Sequence, residues 1–258
     1  MTIKNISAVI ICGGKSQRMG NLTKYKPKTL LEINNKPIIW YIIMELYRNG
    51  VRNFFFTLGY KGEKIKSYID KNFRKLNDAN FYFIKTGINS TIAKRIDLII
   101  QHKCLNEDLL LLNSDTIFRL NLKKIFNEYK NSNKLAKLIA IGIQSKFGLI
   151  LKNKNSVKQF TRNQNVNIFS NSKKQNIEGY IYSGISFIKK ISFNGFKLLS
   201  AKDFEINFFN YLIKKNLLLC HHTSSLCLAA DTPKDIVELK KNNIVKVIKN
   251  DLIKKYKI

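Results

Sequence analysis

The sequence predicts an α/β fold in which a mostly parallel sheet is flanked by helices. The run Ala8-Val9-Ile10-Ile11-Cys12 is continuously apolar and empties into Gly13-Gly14, as in a strand buried on both faces whose chain turns sharply at its carboxyl end. Downstream, short apolar runs alternate with segments of helical spacing, and strands joined through helices in this way pair in parallel. With 258 residues, 45% of them apolar, the chain can bury one large core or two modest ones, and one domain over 1–258 is the simpler expectation.

Taken in order, Asn34-Asn35 are expected to cap a helix with Pro37 near its first turn, Ile38, Ile42 and Leu46 on one stripe, and Gly50 at its end. Val51 to Leu58 reads as a second strand, closed by Gly59-Tyr60-Lys61-Gly62, with Ile65, Tyr68 and Ile69 on the helix that follows. Phe81 to Lys85 is a third strand leading into Thr86-Gly87-Ile88-Asn89-Ser90, and Ile92, Ile96, Ile99 and Ile100 mark a helix. The apolar strand Asp108 to Leu112 ends in Asn113-Ser114-Asp115-Thr116, with a helix from about Leu122. Residues 137–160 are strand-rich, and Gly179 to Ile185 is a further strand. A helix over Asp203 to Lys215, a strand over Leu217 to His221 and a helix with Pro233 near its start complete the pattern.

Ligands of open α/β sheets collect at the carboxyl ends of the strands, beyond Cys12 and Leu112 here. Gly13 and Gly14 let backbone amides approach a phosphate closely. Lys15, Arg18, Lys24, Lys26 and Lys28 place five cations within fourteen residues of that turn, with Arg18 as a planar fork and Lys28 as a point charge. A tight turn with solvated lysines fits the same spacing, and neither GxxxxGK[ST] nor GxGxxG occurs at this turn. Asp115 is placed to bind Mg²⁺, which prefers hard oxygen ligands; by spacing it also suits a helix cap. Asp231 carries the same two readings.

The formal charge of +29, from 46 basic and 17 acidic residues, favours anionic partners. The lysines are spread from Lys4 to Lys257 beside abundant Asn and Ile, residues with AT-rich codons, so nucleic acid is not the expected partner. The four cysteines, Cys12, Cys104, Cys220 and Cys227, form no CxxC pair, which argues against a zinc site and a disulfide framework. No apolar run reaches the roughly 18 to 20 residues that span a bilayer. A soluble cytoplasmic protein is expected, with a homo-oligomer left open.

Gly13-Gly14 with Arg18, then Pro27-Lys28, then Lys36-Pro37-Ile38-Ile39 resemble the amino-terminal signature of the sugar-1-phosphate nucleotidyltransferases. Within that family the chain resembles the glucose-1-phosphate cytidylyltransferases, because Gly59-Tyr60-Lys61-Gly62, Asp115 and the Asp231-Thr232-x-x-Asp235 segment continue the agreement. The resemblance covers roughly Ile3 to Leu239. It implies a Rossmann-like mixed sheet of the nucleotide-diphospho-sugar transferase type, with a nucleotide-binding part over about 1–120 and an acceptor-binding part over about 121–240. The implied reaction is transfer of a cytidylyl group from CTP to a small phosphorylated acceptor such as glucose 1-phosphate.

Arg18 and Lys28 are then the implied catalytic residues, Cys12, Gly13, Gly14, Lys15, Thr86, Gly87 and Ser90 the nucleotide contacts, with Arg95 on the adjoining helix, and Asp115 and Asp231 the Mg²⁺ ligands. Where relatives carry an EKP, whose lysine contacts the acceptor phosphate, this chain reads Phe160-Thr161-Arg162-Asn163; either Arg162 substitutes with a one-residue shift, or the lysine's duty falls to a residue elsewhere. Glu178, Tyr182 and Gly184 are the remaining acceptor contacts, on a strand where Tyr182-Ser183-Gly184 stands for the family's NGG. The string GGKSQRMG also resembles the loop of molybdopterin guanylyltransferases, which keeps open another nucleotide or a non-sugar acceptor of phosphoglutamine, phosphocholine or molybdopterin type.

Overall fold

The computed structural model describes residues 3–144, 149–153, 156–161, 165–166, 168–172, 175–201 and 203–257. Its principal strands are β1 (Ile6–Ile11), β2 (Asn53–Leu58), β3 (Asn80–Lys85), β4 (Asp108–Asn113), β5 (Thr116–Phe118), β6 (Ala136–Ile141), β7 (Ile181–Lys189), β8 (Leu218–Thr223) and β9 (Cys227–Ala229). Its α-helices are α1 (Ile38–Arg48), α2 (Gly62–Asn72), α3 (Ile92–Ile100), α4 (Leu122–Lys130), α5 (Phe204–Lys214), α6 (Pro233–Lys241) and α7 (Asn243–Tyr256).

Seven strands form one sheet in the order β8-β6-β7-β4-β1-β2-β3. Its pairs are parallel except where β7 runs against β4 and β6, so the mixed, mostly parallel sheet expected from the sequence is the one observed. The chain moves outward from β1 to β2 and β3, then returns to β4 on the other side of β1. That reversal opens a crevice at the carboxyl ends of β1 and β4, where open α/β sheets bind ligands.

Alternating strand residues supply two cores, as a pleat requires. Ala8, Ile10, Phe54, Phe56, Leu110 and Leu112 join the apolar stripes of α1, α2, α4, α6 and α7 on one face. Val9, Phe55, Leu109 and Leu111 meet α3 and α5 on the other. Among the described residues, no helix is long and apolar enough to cross a membrane.

The sequence-based expectation fails at Asn34-Asn35, which do not cap α1. Both lie in the left-handed region, at φ 51° and 66°, in the turn between the two-residue strands Glu32–Ile33 and Lys36–Pro37. Asparagine tolerates that region, and paired positive φ values match the twist of a tight hairpin. Pro37 takes the cap position instead.

Helix α1 is buried from Ile38 to Leu46, including the carboxylate of Glu45. Glu45 accepts from Arg48 Nε at 2.9 Å and from the Leu120 N–H at 3.2 Å, with Arg119 3.5 Å away. It thereby fastens α1 to the chain just beyond β5, the strand that follows Asp115. Glu45→Ala is expected to lower unfolding stability by about 3 kcal/mol, because two arginines and an amide lose a buried partner. Asp251→Ala, at the exposed end of the same network, is expected to cost less than about 0.5 kcal/mol; urea unfolding of the two variants checks the contrast.

Candidate active site

The phosphate-loop candidate begins where β1 ends. The Cys12 N–H donates to Thr57 Oγ1 at 2.9 Å, and the same hydroxyl donates back to the Cys12 carbonyl at 2.8 Å. Gly13 has φ +104° and crosses Gly59 so closely that a Cβ on Gly59 would lie 2.6 Å from the Gly13 carbonyl oxygen. The Tyr60 N–H donates to that oxygen at 3.0 Å. The turn Gly59-Tyr60-Lys61-Gly62 is therefore a clamp on the glycine loop. A Cβ on Gly14 would meet nothing within 4 Å, which leaves this residue open to the cleft it lines.

Beyond Gly14 the chain passes through left-handed Ser16 into a 3-10 segment, Gln17–Thr23. Lys61 Nζ donates to the carbonyls of Thr23 and Lys24, and Lys64 Nζ donates to Tyr25 O at 2.8 Å. These two lysines act as struts for the loop.

A cleft of about 310 Å³ opens against this loop, lined by Gly13, Gly14, Arg18, Lys28, Arg95, Asn113, Asp115 and Asp231 among others. Of the five cations expected around this turn, Arg18 and Lys28 line the cleft. Lys26 pairs with Glu32 at 3.1 Å, and Lys24 lies over the Tyr25 ring. Lys15 is exposed and outside the lining.

Asp115 and Asp231 meet here although they lie far apart in sequence. Strand β5 pairs antiparallel with β9, Thr116 opposite Ala229, and the Ala230 N–H donates to the Asp115 carbonyl at 2.9 Å. That register delivers both carboxylates to Lys28, whose Nζ is 2.6 Å from Asp115 Oδ2 and 2.9 Å from Asp231 Oδ1. Arg18 Nη2 lies 3.6 Å from Asp231 on the solvent side.

Neither aspartate serves as a helix cap. Asn121 caps α4, while Thr232 and Asp235 form a reciprocal capping box on α6, with Asp235 Oδ2 also accepting from the Asp231 N–H at 3.0 Å. Two hard carboxylates are the kind of ligand that Mg²⁺ takes, here with the Lys28 ammonium between them. No group of three or more His, Cys, Asp or Glu that could hold a metal occurs among the described residues.

Arg95 forms the inner wall. It is buried, and its Nε donates to Ser90 Oγ at 3.1 Å while Nη2 donates to Gly13 O at 3.2 Å. Ser90 Oγ in turn donates to Gly87 O at 2.9 Å and lies 3.3 Å from Thr86 Oγ1. Arg95 therefore ties the Thr86 to Ser90 segment to the glycine loop. Among the described residues it makes no ion pair with a carboxylate, and a buried guanidinium in that state favours an incoming anion.

Cys12 belongs beneath the loop, not in the cleft. It is fully buried, and burial pushes its thiol up to about 12, partly opposed by a hydrogen bond with Ser114. On β7, Gly184 packs so tightly on Asn113 that a Cβ would stand 2.7 Å from Asn113 Nδ2. Tyr182, half-buried, lies 3.2 Å from Ser186 through its hydroxyl, and burial raises its pKa. Arg162 and the side chain of Glu178 lie outside the described residues. Sequence reasoning did not single out Asn113, Thr57 or the clamp at Gly59, although Gly59 was visible as a turn residue.

With this geometry in hand, residues 7–185 match the family model for nucleotidyl transferases. The chain belongs to the nucleotidyl transferase family. Over 254 residues it is 28% identical to a probable glucose-1-phosphate cytidylyltransferase of Bacillus subtilis (strain 168), a match that covers 92% of this chain and 95% of the relative. It is 26% identical over 209 residues to the D-glycero-alpha-D-manno-heptose 1-phosphate guanylyltransferase of Aneurinibacillus thermoaerophilus, covering 79% of this chain and 83% of the relative. The crystal structure of a candidate glucose-1-phosphate thymidylyltransferase of Bacillus anthracis superposes with a TM-score of 0.70 at 17% identity, covering 93% of this chain and 95% of that one. That likeness bears on the fold, which is of the nucleotide-diphospho-sugar transferase type.

The cysteines offer a direct check on this packing, because the thiolate is the reactive form. Cys12 and Cys227 are both held near 12 by burial, so each stays protonated at pH 8. Iodoacetamide at that pH is expected to label exposed Cys104 rapidly, partly exposed Cys227 slowly, and fully buried Cys12 only on unfolding, as read by peptide mass spectrometry.

Proposed function

We propose that this nucleotidyltransferase moves a cytidylyl group from CTP to the phosphate of a sugar 1-phosphate of the glucose 1-phosphate kind, with release of pyrophosphate. The observation that carries the transfer reading is Lys28 lodged between Asp115 and Asp231 at 2.6 and 2.9 Å, across the cleft from Gly13 and Gly14. The Bacillus subtilis relative, matched along nearly its whole length, supports the choice of cytidine nucleotide and acceptor. The guanylyltransferase relative favours a second reading, in which the same site takes another nucleotide.

In the proposed reaction a phosphate oxygen of the acceptor forms a bond to the α-phosphorus of CTP. The bond from that phosphorus to the bridging oxygen breaks, and its electron pair leaves with pyrophosphate. No proton needs to be removed, because the attacking phosphate is ionised near neutral pH. The protein's work is to align two polyanions and to meet the negative charge that develops in transfer.

The exposed amide region of Gly14, the fork of Arg18 and the ammonium of Lys28 are the groups placed for the triphosphate. Arg95 stiffens the loop from below and adds positive charge at the cleft floor. Asp115 and Asp231 would hold Mg²⁺, which when bound supplies positive charge against the phosphates. Lys28 keeps the two carboxylates together and sits within the cleft that the nucleotide would enter.

Lys28→Ala is expected to lower turnover by a factor of about 10² or more, in line with loss of one transition-state charge contact. Pyrophosphate release measured with each of the four nucleoside triphosphates checks it, and a rate near that of the unaltered protein would remove Lys28 from the mechanism. Asp115→Asn is expected to abolish divalent-metal-dependent turnover while the chain stays folded. Release with CTP no faster than with the other nucleotides would end the cytidylyl assignment.

A further inference from the structure

Strand β7 does not run evenly beside β6. Tyr182 stands opposite Ala140 and Ser186 opposite Leu138, so β7 bulges between Tyr182 and Ser186. Buried Ser183 fixes the bulge by donating from Oγ to the Ile139 carbonyl at 2.7 Å. Gly184 follows at φ +76°, a conformation that glycine adopts without strain. Bulges beside sites re-aim side chains, and here the side chain concerned belongs to β4. A Cβ on Gly184 would lie 2.7 Å from Asn113 Nδ2 and 3.2 Å from Asn113 Cγ. The amide of Asn113 therefore rests on the bare Cα of the bulge.

Asn113 is the last residue of β4, opposite Ile11 at the end of β1, and it lines the cleft together with Ile11 and Arg95. It is partly exposed, and its amide has no hydrogen-bond partner among the described residues. Such an amide offers two donors and an acceptor at once. The phosphates of a nucleotide or an acceptor have Arg18, Lys28 and Arg95 in the same cleft, and a neutral amide adds little to those charges. A sugar hydroxyl, which also gives and takes a hydrogen bond, matches it at both ends.

We propose that Asn113 is a specificity-determining residue of the acceptor site, hydrogen-bonding a ring hydroxyl of the sugar phosphate and so selecting among sugars. The assignment rests on the transfer reading above and deepens it. Strand β4 lies between β1 and β7, so an amide seated on Gly184 stands on the side of β4 away from the glycine loop. With pyrophosphate leaving toward that loop, the attacking phosphate arrives in line from the opposite side. The sugar that carries it then lies over the end of β4 beside β7, within reach of Asn113.

The test is steady-state pyrophosphate release by the unaltered chain, Asn113→Ala and Asn113→Leu, with whichever of the four nucleoside triphosphates is used fastest. The acceptors are glucose, mannose and galactose 1-phosphates and the monodeoxy derivatives of the preferred one. Both variants are expected to raise the KM for the preferred sugar phosphate by about fivefold to fiftyfold, the effect of leaving one hydroxyl unpaired, with the nucleotide KM unchanged. One deoxy derivative, lacking the hydroxyl that Asn113 serves, is expected to show the raised KM already with the unaltered chain and no further rise with either variant. An unchanged sugar phosphate KM, a fall in kcat alone, or a further rise for every deoxy derivative would overturn the assignment. So would a rise confined to the nucleotide KM, a result that leaves the transfer reading standing and moves the amide to the ribose. Absence of pyrophosphate release from every nucleotide with every sugar phosphate would bring down the transfer reading and this assignment together.

Discussion

Two carboxylates held side by side at the rim of a cleft repel each other unless a cation sits between them, and Lys28 is that cation. It is 203 positions from Asp231 in the sequence and 87 from Asp115, so the arrangement depends on tertiary register. The short β5–β9 ladder sets that register by aligning Thr116 with Ala229. Because Asn121, Thr232 and Asp235 take over helix capping, both aspartates remain available to the cleft.

The opposite wall solves a different problem, that of keeping a glycine loop in one shape. Gly13 and Gly59 can cross only because neither has a side chain, and Tyr60 and Arg95 both donate to the Gly13 carbonyl. The loop is thus held at its root by the core and along its length by Lys61 and Lys64. Positive charge reaches the cleft from two sources, with Arg18 and Lys28 on the loop and Arg95 on the inner helix α3.

Much of the fold could be read from the sequence because buried parallel strands are continuous apolar runs, and the helices between them keep their spacing. Asn34-Asn35 misled because the same residue type favours helix caps and left-handed turns, and only the pairing of Glu32–Ile33 with Lys36–Pro37 separates the two. In the site, the glycine turn, Arg18, Lys28 and the two aspartates were visible. Lys15, Lys24 and Lys26, expected beside them, lie outside the cleft lining, and a charge excess of +29 leaves the sequence little contrast between a lysine at the cleft and one that stays hydrated. The structural part played by Arg95 depends on its reach across to Gly13, and that of Asn113 on Gly184.

The β5–β9 ladder also bears on how the molecule comes into being. A ribosome-bound chain that has emerged only as far as α5 already contains the glycine loop, its Gly59 clamp and Lys28, but lacks the second of the paired acids. Closure must wait for β9 to return across most of the sheet, a non-local step of the kind that pays its entropy late. The two acids can therefore share Lys28 only once the last quarter of the chain has been made.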